Sequence, residues 1–405
     1  MSDFARLTTG SPSEVPPRII LFTTDLGCGG AQNHFARLVE GLFAERSPRW
    51  ILSLRAPPAE NFSLHGLVVS SLGYRSSKDY PASMMALRRM IRRTDADIVY
   101  SLSRCSNIVS LAATQSSRPR PMTVLGVNEN LGAGVRTRHT PAEHFWWQAQ
   151  RLSYRYADLI LTNSPDSIEV LEREFSCPPS RTRLIRNPLP VAQIRSRAAL
   201  LRRVGSPLNA PYLLSFGRLV EGKGLDLLLD VFARSTARSL GFRLVLLGDG
   251  PLACALRRRV NTLGMADQVV FPGWTNDPLP WLSSARAYVT PSLREGLSNA
   301  VLESMAAEVP VVSFSSSGWI DKFARAGAVA AAPLNDVKAF DAAIERILES
   351  PLHRAQIVSS ALRVVADFES EHVVQEREEL IRQAWNEFNE RSCMGRSLNS
   401  EGSAT

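Results

Sequence analysis

Ser215-Phe216-Gly217-Arg218-Leu219-Val220-Glu221-Gly222-Lys223-Gly224-Leu225-Asp226 closes an apolar run at 212–216, passes through a glycine-bearing loop with two cations, and opens a helical period at 225. An apolar strand, a glycine-bearing loop and then a helix is the repeating unit of doubly wound α/β folds, where ligands bind beyond the carboxyl ends of parallel strands. Two cations at such an edge suit a diphosphate. Lys223 stands out because arginine is the default cation of this chain: only four of its 47 basic residues are lysine.

Outward from this unit, short apolar runs alternate with amphipathic stretches in both directions. Runs at 18–22, 50–54, 67–70, 97–102, 121–126, 158–162 and 182–185 read as buried strands, with helical periods at 31–44, 82–92, 141–156 and 165–175. Asn187-Pro188-Leu189-Pro190 interrupts the alternation and reads as a hinge or linker, since proline removes backbone donors and holds its neighbours extended. A second series follows, with strands at 212–216, 242–247, 268–271, 287–290, 310–313 and 328–331 and helices at 225–237, 252–263, 299–307 and 337–348. This predicts two Rossmann-like doubly wound domains. The expected divisions are a loose leader over 1–17, a first domain over 18–190, a linker over 191–210 and a second domain over 211–365. A helix over 366–391 is expected to pack back on the body, ahead of a disordered tail over 392–405. In that helix Val374, Arg377, Ile381, Ala384, Trp385 and Phe388 recur at spacings of three and four, all apolar except Arg377.

Four further turns carry chemistry. Gly27-Cys28-Gly29-Gly30-Ala31 lies between the first strand and a helix, where close backbone approach and a helix start suit a phosphate. It lacks the dinucleotide spacing and the acidic residue that would end the second strand. Gly248-Asp249-Gly250-Pro251 repeats the strand-to-helix turn, and Phe271-Pro272-Gly273-Trp274 offers a wall for a base or a core tryptophan. The sharpest is Pro291-Ser292-Leu293-Arg294-Glu295-Gly296-Leu297-Ser298-Asn299, followed by Glu303. Here Ser298 or Asn299 can cap a helix, and two carboxylates eight positions apart flank its exposed amides.

Composition narrows the class. A chain of 405 residues with 44% hydrophobic residues can build two cores, and no run of about 18 apolar residues suggests a spanning helix. No secretory signal is read, and the five scattered cysteines have no metal or redox spacing, so a cytoplasmic protein with reduced thiols is expected. Residues 1–200 hold 25 basic and 16 acidic side chains (+9), against 22 and 23 (−1) in 201–405. That basic half leaves room for an anionic substrate or an anionic membrane surface. Without an aromatic-interleaved basic run, no nucleic-acid partner is expected.

The ordered set Gly217-Arg218…Lys223-Gly224, Gly248-Asp249-Gly250-Pro251, Phe271-Pro272-Gly273-Trp274 and Glu295…Glu303 resembles glycosyltransferase family 4, retaining enzymes with the GT-B fold. Gly29-Gly30-Ala31, Asn163-Ser164 and Asn187-Pro188 resemble the acceptor domain of the same family more loosely. The resemblance implies two facing domains and a UDP-, GDP- or ADP-sugar donor held by the second. Arg218 and Lys223 would bind the diphosphate, Glu295 the hexose and Glu303 the ribose. Gly29, Gly30, Gly217, Gly248, Gly250, Trp274, Gly296, Leu297, Ser298 and Asn299 would complete the donor side. Where many relatives place a histidine, this chain has Val127-Asn128-Glu129-Asn130, so Asn128 and Glu129 become the acceptor-side candidates. Ser316-Ser317-Gly318-Trp319-Ile320-Asp321 stands in place of a glycine pair and a glutamate. No cofactor and no metal are expected, because two cations and helix-start amides can stabilise a leaving diphosphate.

The expectation is therefore a retaining glycosyltransferase that moves a sugar to a glycan or lipid-linked glycan in cell-surface polysaccharide assembly (exopolysaccharide, capsule or lipopolysaccharide). It would work in the cytoplasm, with room for a peripheral seat on the inner face of the membrane. A sugar-nucleotide epimerase or a phosphorylase on the same scaffold is the alternative, and a basic nucleic-acid-binding protein a more distant one.

Overall fold

The computed structural model describes residues 16–24, 30–42, 49–55, 69–74, 79–132, 141–293 and 295–401. Most of the expected leader therefore lies outside the described residues. The first sheet is built from β1 (Ile19–Thr23), β2 (Arg49–Ser53), β3 (Val69–Ser71), β4 (Ile98–Leu102), β5 (Met122–Val127), β6 (Leu159–Thr162) and β7 (Thr182–Leu184). The second holds β8 (Tyr212–Phe216), β9 (Arg243–Leu247), β10 (Val269–Gly273), β11 (Ala287–Thr290), β12 (Val311–Phe314) and β13 (Ala330–Ala332). Their orders are β3-β2-β1-β4-β5-β6-β7 and β10-β9-β8-β11-β12-β13, and the paired strands run parallel.

Unbroken apolar runs form these strands because both faces of each sheet are covered. Along β1, Ile19 and Leu21 enter one core while Ile20 and Phe22 enter another on the opposite face. In the second domain Leu244 and Leu246 of β9 face one core, and Val245 and Leu247 the other. Strand order reverses beside β1 and beside β8, so each domain has a switch point at its carboxyl edge.

Several stretches differ from expectation, among them the unforeseen helices Gly318–Arg325 and Pro351–Val365. The supposed linker 191–210 is largely the helix Val191–Val204, with Val191 and Ala198 buried in a core of the second domain. Proline at 188 and 190 limits the true crossing to a few residues. The helix Arg104–Gln115 escapes the periodic reading because its buried face carries Ser106, Asn107, Ser110 and Thr114 among its apolar residues. Hydrogen bonds satisfy part of that face: Asn107 Nδ2 donates to the Gly126 carbonyl at 3.1 Å and Thr114 Oγ1 to the Ser110 carbonyl at 2.9 Å. The last helix spans Ser370–Glu401, so 392–401 is helical where a disordered tail was expected.

That helix packs on the first domain, with Val374 and Ile381 buried against its core. Arg377, the polar exception in the apolar pattern, is 1% exposed and donates to the Tyr100 hydroxyl and the Arg186 carbonyl, both at 2.9 Å. The two passages of chain between the domains lie side by side: Leu189 pairs with Glu369, and its amide donates to the Phe368 carbonyl at 2.8 Å.

Candidate functional site

Between the carboxyl edges of the two sheets lies a cleft of about 720 Å³, lined from the first domain by Arg37, Asn128, Asn163 and Asn187 and from the second by residues after β8, β9, β10 and β11. The turn after β8 places Gly217, Arg218 and Lys223 there. Its seat is set by backbone: the Gly217 amide donates to the Leu247 carbonyl at 3.0 Å, and Gly248 follows at a φ of 143°. A Cβ on Gly248 would stand 1.9 Å from the Gly217 carbonyl oxygen, so only glycine lets the two loops meet.

Lys223 and Glu295 form an ion pair in the cleft, with Nζ donating to both carboxylate oxygens at 3.0 and 2.7 Å. Their side chains are 30% and 18% exposed. Arg218 is exposed, and its side chain has no hydrogen-bond or ion-pair partner among the described residues. The cleft therefore offers one unengaged guanidinium and one ammonium held by a carboxylate that also lines the cavity.

Beyond Glu295 the chain turns through Gly296 and Leu297 into the helix Asn299–Ala306. Ser298 takes the N-cap position, as expected, but its side chain makes no capping bond, so the first amides of that helix keep their donor capacity toward the cleft. Asn299 is engaged otherwise, since its Oδ1 accepts from Asn187 Nδ2 at 2.9 Å. Glu303 sits two turns deeper, 3.4 Å from Arg37 of the opposite domain. Burial pushes the Glu303 carboxyl above its ordinary range, and Arg37 opposes that shift.

The domains are joined around the cleft by side chains at the carboxyl ends of strands. Asn130 Nδ2 donates to the Glu295 carbonyl at 2.9 Å, and Trp319 Nε1 to the Asn163 carbonyl at 2.6 Å. The Gly318 amide reaches Asp166 Oδ2 at 3.3 Å. Asn163 donates to Asn187 Oδ1 at 2.9 Å, while its own buried Oδ1 meets no donor among the described residues.

Of the expected site residues, Arg218, Lys223, Glu295, Glu303, Gly217, Gly248, Trp274, Gly296, Leu297, Ser298, Asn299 and Asn128 all line the cleft. Trp274 is 43% exposed rather than core filler. Gly250 is not among the lining residues; a Cβ there would meet the Leu219 carbonyl oxygen at 2.5 Å, so its place is loop packing. Glu129 also turns away from the cleft, accepting from Arg104 Nη2 at 2.8 Å and Gln150 Nε2 at 2.7 Å. A carboxylate one residue after Asn128 enters the first domain's own polar network instead. Asp321 bonds the Ser315 hydroxyl and does not line the cleft. Gly30 opens the helix Gly30–Gly41; Gly29 lies outside the described residues.

Sequence reasoning missed Arg37, Gln193, Arg197 and Asp277 as lining residues. Arg197 and Asp277 pair at the rim. No local motif marks them, because each reaches the cleft from a helix flank or a loop. Among the described residues, no group of three or more His, Cys, Asp and Glu side chains is arranged to hold a metal.

Two family models match in tandem: "Glycosyltransferase Family 4" over residues 28–193 and "Glycosyl transferases group 1" over 210–350. The lipopolysaccharide core biosynthesis glycosyltransferase LpsE of Rhizobium meliloti is 36% identical over 148 residues, 36% of this chain and 42% of that protein. A Campylobacter jejuni N-acetylgalactosamine-N,N'-diacetylbacillosaminyl-diphospho-undecaprenol 4-alpha-N-acetylgalactosaminyltransferase is 32% identical over 161 residues, 40% and 42% of the two chains. The matched stretch thus spans about two fifths of these curated relatives. Among solved structures, Anabaena HepE in complex with UDP superposes with a TM-score of 0.74 at 17% identity, covering 90% of this chain and all of that one. Sucrose-phosphate synthase from Thermosynechococcus elongatus gives 0.75 at 20%, covering 91% and 99%. The two facing domains are those of the GT-B fold. The relatives and family models named are transferases, which gives no support to the epimerase or phosphorylase alternative.

Proposed function

We propose that this chain, which belongs to the glycosyltransferases of family 4, transfers a sugar from a nucleotide-sugar donor to a lipid-linked glycan with retention at the anomeric carbon. The observation that carries the reading is the convergence of Arg218, Lys223, Glu295 and the start of the helix Asn299–Ala306 on one interdomain cleft. A diphosphate would draw Lys223 away from Glu295 and meet Arg218 and the helix amides, while the released carboxylate accepts hydrogen bonds from the hexose. Glu303 takes the ribose hydroxyls. The bond from the anomeric carbon to phosphate breaks, the bond to the acceptor oxygen forms on the same face, and the acceptor proton passes to the leaving phosphate. Cations and amides fixed in advance stabilise that leaving group without a metal or cofactor.

UDP, GDP and ADP remain the candidate carriers, and UDP is favoured by the likeness to a fold seen with UDP bound. The relative acting on a diphospho-undecaprenol glycan and the basic first half support a lipid-linked acceptor in cell-surface polysaccharide assembly, met at the cytoplasmic face of a membrane. The contact would be peripheral in this reading; among the described residues no helix is long and apolar enough to cross a membrane. A thermal-shift panel of UDP-, GDP- and ADP-sugars tests the donor side: a carrier at 100 times its Kd adds about 2.7 kcal/mol of stability. No shift with any of them defeats the reading. NMR of the product's anomeric proton tests retention, and activity in EDTA tests metal independence.

A further inference from the structure

The main chain on either side of Glu295 is held by different domains. Before it, the Leu293 amide donates to the Gly222 carbonyl at 2.8 Å, within the second domain. From Glu295 onward the first domain adds its own hold. Asn130 Nδ2 donates to the Glu295 carbonyl at 2.9 Å, and Asn187 Nδ2 reaches the Leu297 carbonyl at 3.4 Å and Asn299 Oδ1 at 2.9 Å. Gly296 lies against the same domain: a Cβ there would stand 3.6 Å from the Asn128 carbonyl oxygen and 3.7 Å from Asn163 Oδ1.

Asn130 is itself fixed in place. The same Nδ2 donates to Asp166 Oδ2 at 3.0 Å. Its loop is tied to the start of the helix Pro165–Arg173, where the Leu131 amide donates to Ser167 Oγ and Ser167 Oγ to the Glu129 carbonyl, both at 2.9 Å. Gly132 lets the chain pass close, since a Cβ there would meet Asn130 Oδ1 and Asp166 Cβ, each at 3.2 Å. The Asn130 amide therefore meets Glu295 preorganised, with little rotamer freedom left to lose. Asp166 also accepts from the Gly318 amide at 3.3 Å, so the carboxylate that orients Asn130 touches both domains.

This arrangement bears on the step in which a diphosphate takes Lys223. The Glu295 carboxylate then loses the ammonium that contacts both its oxygens, and its aim depends on the main chain that carries it. A displacement of about 1 Å at such a group can cost about 100-fold in rate. We propose that Asn130, oriented by Asp166, is a positioning residue for transfer. It clamps the Glu295 main chain from the opposite domain, so that the carboxylate stays aimed at the donor sugar after Lys223 has turned to the diphosphate. The proposal rests on the donor-site reading above. A side chain that only joined the domains would weaken the protein whatever residue stood at 295.

The test uses the full chain with UDP, GDP or ADP, whichever the thermal-shift panel selects, and the matching sugar nucleotide with water as acceptor. Asn130→Ala is expected to lose at least about tenfold in turnover at saturating donor, with the diphosphate Kd within about twofold of wild type. In a Glu295→Gln background the same replacement should cost nothing further, because it acts through that carboxylate. Asp166→Ala should match Asn130→Ala, whereas Asp166→Asn, which keeps an oxygen for Asn130 and Gly318, should restore turnover. Hydrogen exchange over residues 295–299 with the diphosphate bound reads the clamp without turnover; it should rise in Asn130→Ala and Asp166→Ala and not in Asp166→Asn. Wild-type turnover or wild-type exchange in Asn130→Ala overturns the assignment, as does a parallel loss of diphosphate binding or an undiminished loss in the Glu295→Gln background. Should Asn130→Ala fail to fold, the Asp166 pair decides, and equal behaviour of its alanine and asparagine variants overturns the assignment. A wild type that binds no nucleoside diphosphate strikes the donor-site reading and this inference with it; a wild type that binds one while Asn130→Ala changes nothing strikes this inference alone.

Discussion

Replacing Glu295 by glutamine should separate donor binding from transfer. Lys223 Nζ contacts both Glu295 oxygens, at 3.0 and 2.7 Å, with side chains 30% and 18% exposed. Two unit charges about 3 Å apart attract by roughly 5 kcal/mol at an effective dielectric of about 20. Desolvation, lost side-chain freedom and partial solvent screening reduce the net worth of such a pair to about 1 kcal/mol. A diphosphate that takes Lys223 must first overcome that amount. Glu295→Gln removes the competing charge and keeps the shape, so a nucleoside diphosphate without sugar should bind about fivefold more tightly, the equivalent of about 1 kcal/mol. Transfer should fall about 100- to 1,000-fold, since the contact to the developing charge at the sugar is lost. Isothermal titration with the diphosphate chosen by the thermal-shift panel, and single-turnover transfer, measure the two arms. Weaker diphosphate binding in the glutamine variant would refute the competition, and unchanged transfer would remove Glu295 from the site.

Lys223→Ala and Arg218→Ala should each lose at least about 100-fold in turnover while unfolding cooperatively, and near-normal turnover in either would sink the diphosphate assignment. Gly248→Ala should destabilise the second domain by about 3 kcal/mol in urea titration, because its Cβ collides with the Gly217 carbonyl at a φ of 143°; an unchanged midpoint contradicts that geometry. Glu303 is held above its unfolded pKa, so the native chain binds more protons than the unfolded one just above the ordinary glutamate value of 4.5. Its contribution to stability should therefore fall as pH rises through that window, and Glu303→Gln should flatten the denaturation profile there. Trp319→Phe keeps the ring near Phe323 but removes the 2.6 Å bond to Asn163; it should cost about 1 kcal/mol and enlarge the radius of gyration in small-angle scattering.

Strands and strand ends were legible because burial on both faces demands unbroken apolar runs, and glycines mark the turns that follow. Each expected strand run overlaps an observed strand, and Lys223, Glu295 and Glu303 reach one cleft as their turns imply. Less legible were features that depend on which element lies opposite. Arg104–Gln115 buries serine, asparagine and threonine that find partners on β5 and within the helix itself, so no apolar period announces it. Val191–Val204 carries four arginines and looks like solvated linker until the second domain supplies a wall for Val191 and Ala198. Glu129 lies in the stretch that stands where relatives place a histidine, yet Arg104 and Gln150, distant in sequence, hold its side chain elsewhere. Arg37 meets Glu303 only because two domains face one another.

The helix Ser370–Glu401 gives the chain an unusual order of assembly. It covers β-strand residues made near the start of synthesis, and its Arg377 completes the hydrogen bonding of Tyr100. The first domain leaves the ribosome early, but its covering helix follows after about 180 further residues, roughly 10–40 s of elongation. During that interval the second domain has all its strands while the first still exposes the apolar groove that Val374 and Ile381 will fill. The domain begun first is therefore finished last: until the residues from Ser370 onward are made, the first domain's core lacks its cover and stays open to chaperones.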